Sequence, residues 1–248
     1  MSRFVTALGK IWRMIPVKIE SAWRGTSDCR HCGIRDMVLF ADLDESDFGS
    51  IHTPIDDLAY SNGDTLLMTG DVAHYVFTIR KGTVKVVRNT PDGRARIVRV
   101  LRSGDVAGLE GLFDDRYDSD VVAASEVDVC RIPIKVIKDL ATNSPRLHMR
   151  LMQRWHKAVK DADDWLADLN FGTARQRVAN IILKMRHDGD PTLTSLFSRE
   201  DMGAMSDLKL ETVSREVSRW VKEGVIEPMD RVGRLYRILD PVKLQNIE

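Results

Sequence analysis

An α+β fold in three consecutive parts is predicted for this chain of 248 residues: a β-roll, one long helix and a winged helix-turn-helix. Three observations carry that expectation. Short β segments punctuated by glycines recur from residue 37 to about residue 140. A helical run then opens at Pro145 and extends to Asn170, with apolar residues alternately four and three positions apart. Between residues 198 and 238, two short helical patterns are followed at once by two short strands.

Composition bounds the function classes. A chain of this length buries one large core or two modest ones. Its 37 basic and 37 acidic residues cancel, which excludes a blanket electrostatic binder of nucleic acid but leaves room for a local footprint. No apolar run is long enough to span a bilayer, so no membrane partner is expected. The first residues, MSRFVTALGKIWRMIPVKIESAW, are interrupted by Arg3, Lys10, Arg13 and Lys18 and read as an amphipathic leader, not a secretory signal. Three cysteines, an odd count, do not make a secreted disulfide framework and point to the cytoplasm. The six histidines are scattered, with no nucleophile elbow, phosphate loop or HExxH, so an enzyme is not expected.

Residues 1–28 form an N-terminal extension, and a sensor roll with a cysteine cluster covers 29–143. Cys29 and Cys32 form a CxxC unit whose thiolates could converge on a metal or cluster, or close a redox disulfide; Cys130 is the only other thiol. Turns at Asn62-Gly63-Asp64, Gly70-Asp71, Lys81-Gly82, Pro91-Asp92-Gly93 and Ser103-Gly104-Asp105 separate strands expected over 65–68, 75–79, 83–87 and Ala95–Leu101. Two more fit 120–124 and 127–132, and strands at this spacing argue a small antiparallel barrel or roll.

Residues 144–171 carry the long helix. Leu151, Trp155, Ala158, Ala162, Trp165 and Leu169 make a narrow apolar seam suited to pairing with a second copy; the alternative is packing on the chain's own roll. Phe171-Gly172-Thr173 reads as a hinge into a helix over 174–187 and the DNA-binding domain, 172–248.

In that domain Ser198 is placed to cap a helix through Met202, Ala204 and Met205, with Asp201 three residues on to complete a capping box. After a polar break comes a second helix, Leu210–Lys222, striped by Val213, Val217, Trp220 and Val221. Gly224 ends it, and 225–228 with Leu235–Ile238 form a wing. Lys209, Glu211, Thr212, Ser214, Arg215 and Arg219 occupy the polar face. Glu211 suits a cytosine amine, Arg215 a bidentate guanine contact and Ser214 a base edge or thymine methyl; Thr212 and Arg219 suit phosphates. Glu211 and Arg215, four apart, could instead pair with each other.

Over roughly residues 29–240 the chain resembles the CRP/FNR family of bacterial transcription regulators. The glycine-spaced roll, LEGLF at 109–113, the long helix and LKLETVSREVSRW carry the resemblance, in the family's order. It implies a cyclic-nucleotide-binding-like roll, a homodimer on the long helix, double-stranded DNA as target and RNA polymerase as partner. The Glu of cyclic-AMP-binding members falls at Leu109 and their Arg at Asp118 or its neighbours in DRYDSD, and an Asp without a cation would repel a phosphodiester, so a cyclic nucleotide is not expected. The FNR branch implies an oxygen-labile [4Fe-4S] cluster on Cys29, Cys32 and Cys130. The branch's usual third N-terminal cysteine falls at Val38, so the fourth ligand is atypical or unidentified, with Asp28, His31 and Asp36 nearest in sequence. A thiol–disulfide pair, zinc, haem or another small molecule are the alternatives. Glu211 to Arg215 resembles the ExxSR reader, implying a TTGAT-N4-ATCAA palindrome.

Overall fold

The computed structural model describes Phe40 and residues 55–247; the N-terminal extension, Cys29 and Cys32 lie outside the described residues. Eight strands come first: β1 Asp56–Tyr60, β2 Thr65–Leu67, β3 Tyr75–Lys81, β4 Val84–Asn89, β5 Ala95–Leu101, β6 Val106–Ala107, β7 Asp120–Ala123 and β8 Val127–Pro133. They pair antiparallel into two sheets, ordered β1-β8-β3-β6 and β2-β7-β4-β5. Side chains alternate across each strand, so β8 sends Val127 and Val129 into the roll, where they meet Phe77, Ile79, Val84, Val86 and Val121. Its next residues serve the outer face: Cys130 and Ile132 join a cluster with Phe40, Ile55 and Val76.

Helix α1, Ile134–Asn143, follows β8 directly and covers that outer face with Ile134, Val136, Ile137 and Leu140. Sequence reading missed it because its β-branched apolar residues look like another strand; burial against the sheet overrides that preference. Strand β1 and a short strand at Leu193–Ser195 were missed as well, the first opening on two aspartates and the second only three residues long.

Helix α2, Pro145–Asn170, matches its predicted bounds. Ser144 caps it, accepting a hydrogen bond from Leu147 N, and Pro145 supplies a first-turn position that needs no donor. Its 26 residues run roughly 39 Å, long enough to cross both units of the molecule. The predicted seam is turned inward in this protomer. Leu151 and Trp155 pack on the outer cluster of the roll, Trp165 and Leu169 on the C-terminal core, and Ala158 is half-buried; Ala162 alone of the six is exposed. Most of that face is therefore already in contact with the chain's own cores, with Leu169 fully buried and the other seam residues half-buried or exposed.

The C-terminal unit comprises α3 Ala174–Lys184, β9 Leu193–Ser195, α4 Arg199–Ser206, α5 Leu210–Lys222, β10 Ile226–Pro228, β11 Leu235–Ile238 and α6 Pro241–Gln245. Its core gathers Val178, Ile182, Met202, Met205, Val213, Val217, Trp220 and Ile238, so the stripe read from sequence is the buried face. Ile97 of β5, only 2 % exposed, belongs to the same cluster, with Val87, Val100 and Ala124 packed against it. The junction read as a hinge therefore leads into a unit docked on the roll. Among the described residues no helix is long and apolar enough to cross a membrane.

Candidate nucleic-acid interface

Helices α4 and α5 are joined by a turn in which Asp207 adopts φ 54°, a left-handed conformation that Asp tolerates better than most residues. Ser198 caps α4 through a bond from Asp201 N (3.0 Å). Asp201 does not close the predicted capping box; its carboxylate takes Lys85 Nζ at 2.6 Å. Gly203 lets the turn close. A Cβ there would stand 2.5 Å from Leu208 O, so only glycine permits this approach. Gly224 ends α5 at φ +68°, its N–H donating to Val221 O.

With Val213, Glu216, Val217 and Trp220 buried, α5 shows Glu211, Arg215, Ser218, Arg219 and Lys222 to solvent, while Ser214 and Thr212 sit half-exposed at the edges of that face. Lys209 is exposed at the N-cap position. Glu211 and Arg215 do not pair. Arg215 Nε lies 3.8 Å from Glu216 Oε1, and the Glu211 carboxylate has no ion-pair partner among the described residues. Both are thus available to a ligand. Arg219 is held by Glu223 (3.0 Å), which also receives Arg175 (2.8 Å) and Lys243 (3.1 Å). Arg175 first, then Lys243, bonded to this carboxylate, hold Glu223 down at about 2. Arg175 also stacks 3.6 Å over the Trp220 ring, fixing the rear of the helix.

Beside α5, β10 and β11 form the wing, extended by β9 on the far side of β11. Asp230 organises the turn, accepting from Gly233 N (2.6 Å), Arg234 N (3.0 Å) and Leu235 N (2.9 Å). This leaves Arg231, Val232, Arg234 and Arg237 exposed. Sequence reading passed over Ser218 and these arginines; the signal was present in the basic turn DRVGR.

In the roll, Cys130 stands opposite Asp57 across β1 and β8, its Sγ 3.4 Å from Asp57 Oδ1. Asp57 in turn pairs with Arg80 at 2.8 Å. Among the described residues no group of three or more His, Cys, Asp or Glu side chains is placed to hold a metal. Leu109 is buried on the 3₁₀ turn at Leu109–Leu112. The expectation that Asp118 lacks a cation is corrected: Arg88 bonds to Asp118 and donates from Nε to Ser119 Oγ (3.0 Å). That cation is already matched by the carboxylate, so a phosphodiester would have to displace it.

A cyclic nucleotide-binding domain model matches residues 58–144, and a Crp-like helix-turn-helix domain model matches residues 176–247. Transcriptional activator protein FnrL of Cereibacter sphaeroides is 27 % identical over 80 % of this chain and 83 % of its own length. The fumarate and nitrate reduction regulatory protein of Escherichia coli is 25 % identical over 80 % of this chain and 82 % of its own. The structure of FixK2 from Bradyrhizobium japonicum has the same fold, with a TM-score of 0.70 at 24 % identity, covering 78 % of this chain and 97 % of that one. With both domain models in the family's order and an exposed reader helix behind them, the chain belongs to the CRP/FNR family of DNA-binding transcriptional regulators, close to its FNR branch, and is not an enzyme.

Proposed function

We propose that the chain acts as a homodimer that reads an inverted repeat of the TTGAT-N4-ATCAA type and answers to oxygen or redox state. The observation that carries the reading is the exposed face of α5, where Glu211 and Arg215 stand unpaired with each other while the apolar stripe behind them is buried. Arg215 suits guanine O6 and N7, Glu211 a cytosine amine, and Ser214 a base edge; Lys209, Thr212 and Arg219 suit phosphates, as do the wing arginines. Two such helices one DNA turn apart, about 34 Å, require a two-fold partner.

Helix α2 offers that partner a surface. Met149, Met152, His156, Val159, Asp163 and Leu166 are all exposed and alternate three and four residues apart. A second copy laid on this face would bury four apolar side chains that are each more than half exposed in the single protomer. Asp161, Asp164 and Asp168 are engaged by Lys157, Lys160 and Lys184, whereas Asp163 forms no ion pair among the described residues. Asp163 would face its own copy across the two-fold axis, so the dimer is weak enough for a signal to govern.

For the sensor, Cys130 with Cys29 and Cys32 would hold an Fe–S cluster. The donor set fits in part: three thiolates where four usually serve, with an oxygen or nitrogen donor left to complete it. The cluster would supply a redox-labile anchor between the segment before Phe40 and β8; Phe40 and Cys130 share one apolar cluster, which supports that proximity. The pairing of Arg88 with Asp118 argues for a signal other than a cyclic phosphate. Unit boundaries at residues 28, 143 and 171 follow this division of roles, and a regulator of this class would act on RNA polymerase. The test is iron and acid-labile sulfide content, with a visible spectrum, on protein prepared without oxygen, alongside anisotropy titration of the palindrome. Iron-free, colourless protein removes the cluster; equal affinity for palindrome and scrambled duplex removes the reader.

A further inference from the structure

The outer face of β4 and β5 grips the helix-turn-helix through contacts that surround a shared apolar centre. Lys85 Nζ on β4 bonds to Asp201 Oδ1 on α4 at 2.6 Å, with side chains only 21 % and 22 % exposed. Arg96 on β5 reaches Asp207 Oδ1 in the turn before α5 at 2.5 Å, and donates to Asn170 Oδ1 at the end of α2 at 2.8 Å. Arg102 donates to the carbonyls of Lys184 (2.7 Å) and Arg186 (3.3 Å), the C-terminal end of α3 where a cation is favoured. Ile97 fills the middle of this ring of contacts from within the C-terminal core. Between them these residues touch the end of α2, the end of α3, helix α4 and the turn that launches α5. The outward face of α5 stays open, so the contact orients the reader without covering it.

We propose that this face of the roll is a docking clamp that sets the pose of the reader helix within the same protomer. The state of the roll then reaches the DNA-binding unit across Lys85–Asp201 and Arg96–Asp207, in parallel with the route through α2. The physical basis is the Lys85–Asp201 pair: both side chains are mostly buried, so breaking it leaves an uncompensated charge in the junction and favours one discrete docked pose, while Arg96, itself mostly buried, adds its bonds to the more exposed Asp207 and to Asn170. The DNA readout rests on the function proposed above; the exchange readout does not.

The test places charge reversals only on the roll and reads the far side of the junction. Full-length protein carrying Lys85→Glu or Arg96→Glu is compared with wild type, with Lys85→Met as a milder variant and with Lys81→Glu, the same charge change at an exposed β3 position. Hydrogen exchange in α4 and at the α4–α5 turn is expected to quicken about tenfold in the two junction reversals, less in Lys85→Met, and not at all in Lys81→Glu. Affinity for the palindromic duplex should drop about tenfold in the same order. Exchange in α4 unchanged by both junction reversals overturns the clamp. So does faster exchange without loss of affinity, because the clamp would then not orient the reader. If exchange responds as expected but wild type itself ignores the duplex, the clamp stands and the DNA reading falls.

Discussion

Replacing Gly203 by alanine tests the local geometry on which the reader depends. Two opposed effects must be weighed. Alanine in a helix interior gains about 1 kcal/mol over glycine from propensity alone. Against this, the added Cβ would sit 2.5 Å from the Leu208 carbonyl oxygen, roughly 0.9 Å inside ordinary van der Waals contact. That oxygen is main chain, so it cannot rotate away, and Leu208 N is itself bonded to Gly203 O at 3.1 Å. Relief therefore requires α4 and α5 to separate, at the typical overpacking cost of about 1–3 kcal/mol. Because the 2.5 Å contact is with main chain, the cost falls in the upper part of that range, about 2–3 kcal/mol, and a net loss of about 1–2 kcal/mol is expected. The midpoint of denaturant unfolding should fall, with the slope unchanged because the surface exposed is the same. Duplex affinity should fall further than stability, since the displacement acts on the helix that carries Glu211 and Arg215. A Gly203→Ala protein as stable as wild type, or more so, would refute the close-approach argument.

Other outcomes follow from the same geometry. Arg215→Ala should lose about 1–3 kcal/mol of discrimination at one base pair, whereas Arg231→Ala should weaken all sequences alike and reduce the salt slope by about one, both read by anisotropy across salt concentrations. On α2, Val159→Glu should drive the sedimenting species to monomer and Asp163→Ala should tighten the dimer, whereas Gln153→Glu, exposed but off that line, should do neither. Glu223 is a carboxylate held down at about 2, so its stabilising contribution is present above the ordinary value of 4.5 and is lost as pH falls from there through about 2. Acid unfolding followed by circular dichroism should therefore be less steep over that window in Glu223→Gln than in wild type.

Much of the molecule was legible in its residue pattern because local rules agree with the fold there. The bounds of α2, α5, β5 and β11 match the sequence reading, each set by a periodicity, a cap or a glycine turn acting over a few residues. The buried stripe Val213, Val217 and Trp220 was readable for the same reason: a 3.6-residue period already states which face turns inward. The seam of α2 shows where periodicity ends. That helix carries two lines of apolar residues at heptad spacing, and sequence alone nominated Leu151 to Leu169 for a partner.

Sequence by itself determined that this chain has a roll, a long helix and a winged helix-turn-helix, and which stripe of the second helix is buried. Tertiary structure alone decided that Leu151, Trp155, Trp165 and Leu169 serve the chain's own cores, leaving the line from Met149 to Leu166 outside. It also gave Asp201 to Lys85 and Asp118 to Arg88, partners 116 and 30 residues away. A helical repeat specifies a face, but not what covers it; that depends on surfaces brought together from distant parts of the chain, which no local pattern encodes.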